Sequence, residues 1–249
     1  MLRNFFKKTK ILKLRNLIGL KPTFFNINNL EKGISYSDGF FWRLDGKIET
    51  KFRYTNLIKL FYKQQSYVEL HFFDYKHKFI NKIKIKPDEF SNEFLITKNI
   101  VGSNKFGVFY IFHKSSENLK SIIRNSCYIG YSYKKNLFSF VHGNTPASKS
   151  FISSKEDSLK SGLMGNSFIK KKYIIQNSYK NSKIEVALQN SSDAKQKISV
   201  NNKTFYLENG NSKIIEFLNE DMIIVSSNCY LLRPIVFEYK NDYLNVHHG

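Results

Sequence analysis

A passage that occurs twice, about a hundred residues apart, constrains this chain more than any other feature. Tyr133-Lys134-Lys135-Asn136-Leu137-Phe138-Ser139-Phe140-Val141-His142-Gly143 aligns without a gap on Tyr239-Lys240-Asn241-Asp242-Tyr243-Leu244-Asn245-Val246-His247-His248-Gly249. A Cys-Tyr pair precedes each copy, Cys127-Tyr128 in the first and Cys229-Tyr230 in the second, with extra residues around Arg233-Pro234 in the later one. A chain of 249 residues has room for two such units of roughly 100 residues, each long enough to bury a core.

The pattern within each unit is that of strands. Phe40 to Leu44 and Lys47 to Tyr54 flank Asp45-Gly46, a pair suited to the positive φ of a tight hairpin. Val68, Leu70 and Phe72 alternate with Glu69, His71 and Phe73, and the stretches Ile80 to Ile85, Phe94 to Ile96, Gly107 to His113, Ser126 to Tyr133 and Leu137 to His142 continue the theme. In the second half, Tyr179-Lys180 before Ile184-Glu185-Val186 resembles Tyr62-Lys63 before Val68-Glu69-Leu70, which sets Ala187 against His71. Helices are scarce; Asn56 to Lys63 and Ser116 to Arg124 are the short candidates. The 23 Phe and 15 Tyr suit cross-strand pairing and exclude general disorder.

The expected fold is therefore all-β: two tandem antiparallel β-sandwich units, immunoglobulin-like or jelly-roll, related by internal duplication, with a short basic N-terminal arm. The arm covers residues 1–30, where Arg3, Lys7, Lys8, Lys10, Lys13, Arg15 and Lys21 meet no acid before Glu31. The first sandwich covers 31–143, a Ser-, Gly- and Lys-rich linker or loop 144–166, and the second sandwich 167–249. No apolar run reaches the length of a membrane span. Two cysteines in separate units fit a reduced, cytoplasmic setting, and an organelle signal in the basic arm is the alternative.

A formal charge of +20 invites a polyanion partner, yet 34 Lys against 6 Arg, with 26 Asn, is what AT-rich coding produces. Arginine makes the bidentate phosphate contacts, so its scarcity disfavours a dedicated reader of nucleic acid.

Several constellations bear chemistry on paper. Glu69 and His71 point the same way from one strand and, joined by His142 or His113, would form a carboxylate and two-imidazole metal site. Cys127 and His142 face each other across a hairpin if it turns near Lys135. Phe40, Phe41, Trp42 and Arg43 would stack on sugars or bases if exposed, and the adjacent imidazoles His247 and His248 of the later copy are further binding candidates. The structural alternative for His142 and His248 is a strand-end residue before a glycine turn. Phosphate loops, paired-cysteine metal motifs and nucleophile elbows are missing from the sequence, and no motif names a cofactor.

The sequence thus points to a non-enzymatic binding or interaction protein with two modules that recognises a glycan or a protein. The alternatives are a metal-dependent enzyme with its site in the first unit and a basic nucleic-acid- or ribosome-associated protein.

Overall fold

The computed structural model describes residues 34–35, 38–85, 91–115, 127–143, 145–146, 166–179, 182–190, 195–229 and 232–249. The expected arm at 1–30, the helix candidate Ser116 to Arg124 and all of the expected linker except Thr145, Pro146 and Asn166 lie outside the described residues.

The chain is all-β, and its strands fall into four small sheets. Sheet I contains β1 (Ile34–Ser35), β2 (Asp38–Arg43), β4 (Ser66–Asp74), β5 (Phe79–Ile85), β7 (Phe106–Ser115) and β10 (Thr145–Pro146). Sheet II contains β3 (Ile48–Thr55), β6 (Ser91–Ile96), β8 (Cys127–Tyr133) and β9 (Ser139–His142). Sheet III is built from β11 (Asn166–Gln176), β13 (Gln196–Val200), β14 (Lys203–Leu207) and β16 (Met222–Cys229). Sheet IV is built from β12 (Lys183–Gln189), β15 (Ser212–Leu218), β17 (Ile235–Lys240) and β18 (Tyr243–His248).

The duplication extends to the topology. Sheet I reads β2-β7-β4-β5 and sheet III β11-β16-β13-β14; sheet II reads β6-β3-β8-β9 and sheet IV β15-β12-β17-β18. Advancing each strand number of the first half by nine gives the second. Every pairing among the described residues is antiparallel, and the chain passes back and forth between the two sheets of its half, with the hairpins β4–β5, β8–β9, β13–β14 and β17–β18 each staying within one sheet.

Two tandem sandwiches are nevertheless not what forms. The four sheets are arranged as a four-bladed β-propeller, and the expectation of immunoglobulin-like or jelly-roll sandwich units is corrected accordingly. The physical reason is the use of both faces of sheets I and IV. Phe40, Phe109 and Phe72 on one face of sheet I pack with Phe52 of sheet II. Phe41 and Arg43 point the other way and meet Phe237 of sheet IV. Ala187, Ile235, Phe237, Leu244 and Val246 of the second half thereby belong to the core of the first. The opposite face of sheet IV, carrying Ile184, Val186, Leu188 and Val236, closes a separate core with Ile175, Ile198, Ile223 and Val225 of sheet III. Sheet IV therefore packs its two faces on sheets I and III, and it also meets sheet II directly, where the Tyr131 ring lies edge-on to Phe237 and Ser139 hydrogen-bonds with the Val246 backbone. A strand buried on both faces reads as a continuous apolar run rather than an alternation. Strand β12 shows this, with every residue from Ile184 to Gln189 buried.

Two details of the repeat also shift. Strand β12 is the counterpart of β3, not of β4, so the likeness of Ile184-Glu185-Val186 to Val68-Glu69-Leu70 is not a structural equivalence. In the duplicated hairpins, Tyr128 pairs with His142 but Ile235 pairs with His248. The second strands match as aligned, while the first strands are one residue out of step, the difference being absorbed where the five-residue connection 134–138 becomes the two-residue turn 241–242. Cys229 ends β16, whereas Cys127 opens β8, so the two cysteines are not equivalent either; both are buried and neither forms a disulfide.

Local chemistry fixes the turns as expected. Gly46 sits at φ +62, and Ile48 N donates to Asp45 O at 3.1 Å. Helix α1 (Leu57–Tyr62) starts where Asn56 Oδ1 accepts from Lys59 N at 3.1 Å and ends at Lys63, φ 55. A second single turn, α2 (Lys98–Val101), ends at Gly102 with φ +63 and was not evident in the sequence.

Candidate functional site

Trp42 and Arg43, offered by the sequence as a stacking surface, are inside the protein, 0% and 2% exposed. The Trp42 indole donates to the carbonyls of Phe73 and Val108, at 3.2 and 3.3 Å. Arg43 is the centre of a charge network between the halves. Its Nε and Nη2 donate to the two carboxylate oxygens of Asp45, each at 2.7 Å, and its Nη1 donates to Glu185 Oε2 at 2.7 Å. The Tyr239 hydroxyl donates to the same Glu185 oxygen at 2.6 Å, and Lys183 Nζ lies 2.8 Å from Oε1. Burial opposes the charge on Arg43, but hydrogen bonding to Asp45 and the charges around it outweigh burial, and the guanidinium holds its proton more tightly than usual. Burial likewise opposes ionisation of Glu185; Arg43 and Lys183 reverse this and keep its carboxyl below the usual range. A network satisfied this fully is a fastener rather than a reactive centre.

Glu69 and His71 do converge. Glu69 Oε2 lies 3.3 Å from His71 Nε2, with both residues buried in sheet I. His142 is elsewhere, exposed on sheet II with its ring 4.8 Å from that of Tyr128. His113 is in register with Val68, next to Glu69 along the ladder. Among the described residues no group of three or more His, Cys, Asp or Glu side chains is placed to hold a metal ion. Cys127 points into the core, whereas His142 shares the outer face with Tyr128, so the pairing expected of this thiol and imidazole is prevented by strand alternation. Replacing His142 with Gln is expected to change stability by less than about 0.5 kcal/mol, because the side chain is exposed; urea denaturation would check this.

His247 and His248 end β18 on opposite faces. His247 Nε2 is 3.5 Å from the buried Glu238, which also accepts from Ser178 N and Asn245 Nδ2, each at 2.8 Å. Burial and the nearby Arg233 push His248 down to about 4. His77, stacked on Phe73 and 3.2 Å from the Tyr110 hydroxyl, is pushed down to about 4 by burial.

These two depressed imidazoles set a pH dependence. Both are neutral in the folded chain where the unfolded chain, titrating near 6.5, already takes up protons. The stability they permit is complete above pH 6.5 and falls as pH drops from there toward 4. A loss of about 2 kcal/mol per histidine is expected across that window, read from urea midpoints at stepped pH. The fall should be roughly halved in a His77→Gln variant. A flat profile between pH 7 and 5 would contradict it.

An open groove lies in the second half, between β14 at the edge of sheet III and β15 at the edge of sheet IV. Its volume is about 1100 Å³. Phe205, Ile215 and Phe217 supply apolar walls that continue into the core below. Lys203 and Lys213 stand along it, the Lys213 ammonium 4.2 Å from the centre of the Phe205 ring. Glu216 is held by Lys183 at 2.7 Å, and Glu220 lies at the end near Met222. Among the described residues each flanking strand pairs on one side only, which leaves a line of backbone donors and acceptors on the other. None of these residues stood out in the sequence. The usable signal was the connection between the strands, nine residues (97–105) from β6 to β7 but three (219–221) from β15 to β16.

No protein-family model matches the chain, and no curated protein matches it. Among the described residues, no helix is long and apolar enough to cross a membrane.

Proposed function

We propose that this protein is a non-enzymatic interaction scaffold whose partner is another protein. The groove between β14 and β15 is the observation that carries this reading: it combines apolar walls, a charged rim and two strand edges unpaired among the described residues, the features that accept a polypeptide. Four-bladed propellers are commonly interaction scaffolds, an analogy of fold that agrees with the groove and weighs less than it does. Burial of Trp42 removes the aromatic platform on which a glycan would stack, which favours the protein partner. The proposed units 31–143 and 167–249 act as one body, since sheet IV completes the core of the first.

Chemical cross-linking in native extract, with immobilised wild-type chain and a Phe205→Ser variant compared by quantitative mass spectrometry, tests the reading. A defined protein enriched by the wild type and lost with the variant is expected, with the variant's melting checked separately. Enrichment that is unchanged by the variant, or that disappears with ribonuclease, would reject it in favour of another surface or of the basic nucleic-acid reading.

A further inference from the structure

We propose that the groove between β14 and β15 receives a single helical turn of a partner protein bearing two adjacent aliphatic residues flanked by carboxylates. This rests on the protein-binding reading and names the ligand.

The first half of the repeat contains the same gap, filled. In the first half, the strands equivalent to β14 and β15 are β5 and β6, again at the edges of two packed sheets. The end of the gap between them is not left open. The chain leaves β6, turns once as α2 and lies against β5, where Asn81 Nδ2 donates to the Ile100 carbonyl at 3.3 Å. Val101 is completely buried in the core and Ile100 packs onto it. Two adjacent aliphatic side chains on one turn of helix thus fill the opening that two facing sheets leave at their edges.

The second half has the same strand order and no equivalent of α2. Leu218 ends β15, Asn219 takes a left-handed φ of 57, and β16 begins at Met222. Residues 219–221 are taken up in passing from β15 to β16 and leave no turn to lie against β14, so Phe205, Ile215 and Phe217 stay only partly covered and the groove remains. A site shaped by the loss of an internal plug fits an external segment resembling that plug. Charge sets the flanks. Lys203 and Lys213 make no ion pair among the described residues, while Glu216 is neutralised by Lys183. A segment with carboxylates beside its aliphatic pair would satisfy both lysines, and a chain of net charge +20 attracts such a segment from a distance.

The test uses a labelled synthetic peptide, acetyl-Asp-Asn-Ile-Val-Gly-Ser-Glu-amide, which sets the aliphatic pair of α2 between carboxylates. Its fluorescence anisotropy is titrated with the full chain. Saturable binding is expected, weakened at least about tenfold when Ile-Val becomes Ser-Ser and about tenfold in the Lys203→Glu, Lys213→Glu double variant, whose substitutions leave the core untouched. A chain in which residues 97–105 replace 219–221 supplies the plug internally and should not bind the peptide, while still unfolding cooperatively.

Absence of saturable binding, indifference to Ile-Val, or indifference to the lysines would overturn the proposal. So would self-association of the wild-type chain abolished by the lysine substitutions, which would make the occupant a second copy. Each of these results leaves the cross-linking experiment free to succeed, so failure of the ligand assignment and failure of the scaffold reading are separable.

Discussion

Replacing Arg43 with Met should destabilise the protein by about 3–5 kcal/mol, the cost of removing one partner from a buried ion pair. The volume is roughly kept, so the loss is electrostatic. Glu185 would remain buried with Lys183 and the Tyr239 hydroxyl but without its closest cation, and Asp45, partly exposed, would turn to water. Urea unfolding at pH 7 gives the measure. An Asp45→Asn change should cost less, about 1 kcal/mol, because that carboxylate faces solvent on one side. Should Arg43→Met prove nearly neutral, the network is weaker than its geometry implies, and the halves are held by apolar contact and by the remaining hydrogen bonds, such as those between Ser139 and Val246.

Phe237→Ala is expected to cost about 3–5 kcal/mol, and where the loss is felt matters as much as its size. The ring is fully buried, with Tyr131 4.9 Å away, Phe41 at 6.4 Å and the Arg43 guanidinium 4.6 Å from its centre. Phe237 belongs to the second half, and all three neighbours belong to the first. The chain's single tryptophan, Trp42, reports on the first half only. If the halves form one body, the Trp42 fluorescence transition should move to lower urea together with the circular dichroism transition in Phe237→Ala. Two independent sandwiches would leave the Trp42 transition where it was. A Phe41→Ala, Phe237→Ala double variant should fall short of the sum of the single losses, since each truncation opens part of the same cavity.

Much of the local structure was legible. The Asp45-Gly46 hairpin, the short helix after Asn56 and the duplicated terminal hairpins follow from residues close in sequence, where turn chemistry and alternation act directly. The higher arrangement was not, because alternation tells which residues are buried but not what buries them. Phe40-Phe41-Trp42-Arg43 held the clue. Four consecutive buried residues require cover on both faces, and the second cover comes from Glu185 and Phe237, far along the chain. The gapless alignment of the hairpins hid a one-residue slip, which sends Ile235 rather than its neighbour toward His248. For the site, residue types pointed to Glu69, His71 and His142, yet the groove is defined by a short connection, and a missing plug leaves no motif behind.

Burial of sheet I on both sides also has a consequence during synthesis. When β7 is complete at Ser115, the chain can close sheet I onto sheet II only after β8, and its other face is covered only in part, by Glu185, Ala187 and Gln189 of β12, until β17 and β18 have been made. About 120 residues separate Ser115 from Ile235, on the order of ten seconds of translation. Throughout that interval Phe41 lacks its Phe237 neighbour on a half-finished molecule. Apolar surface left open on a nascent chain favours aggregation, so a slow-codon stretch between the halves would lengthen that exposure rather than help the chain fold.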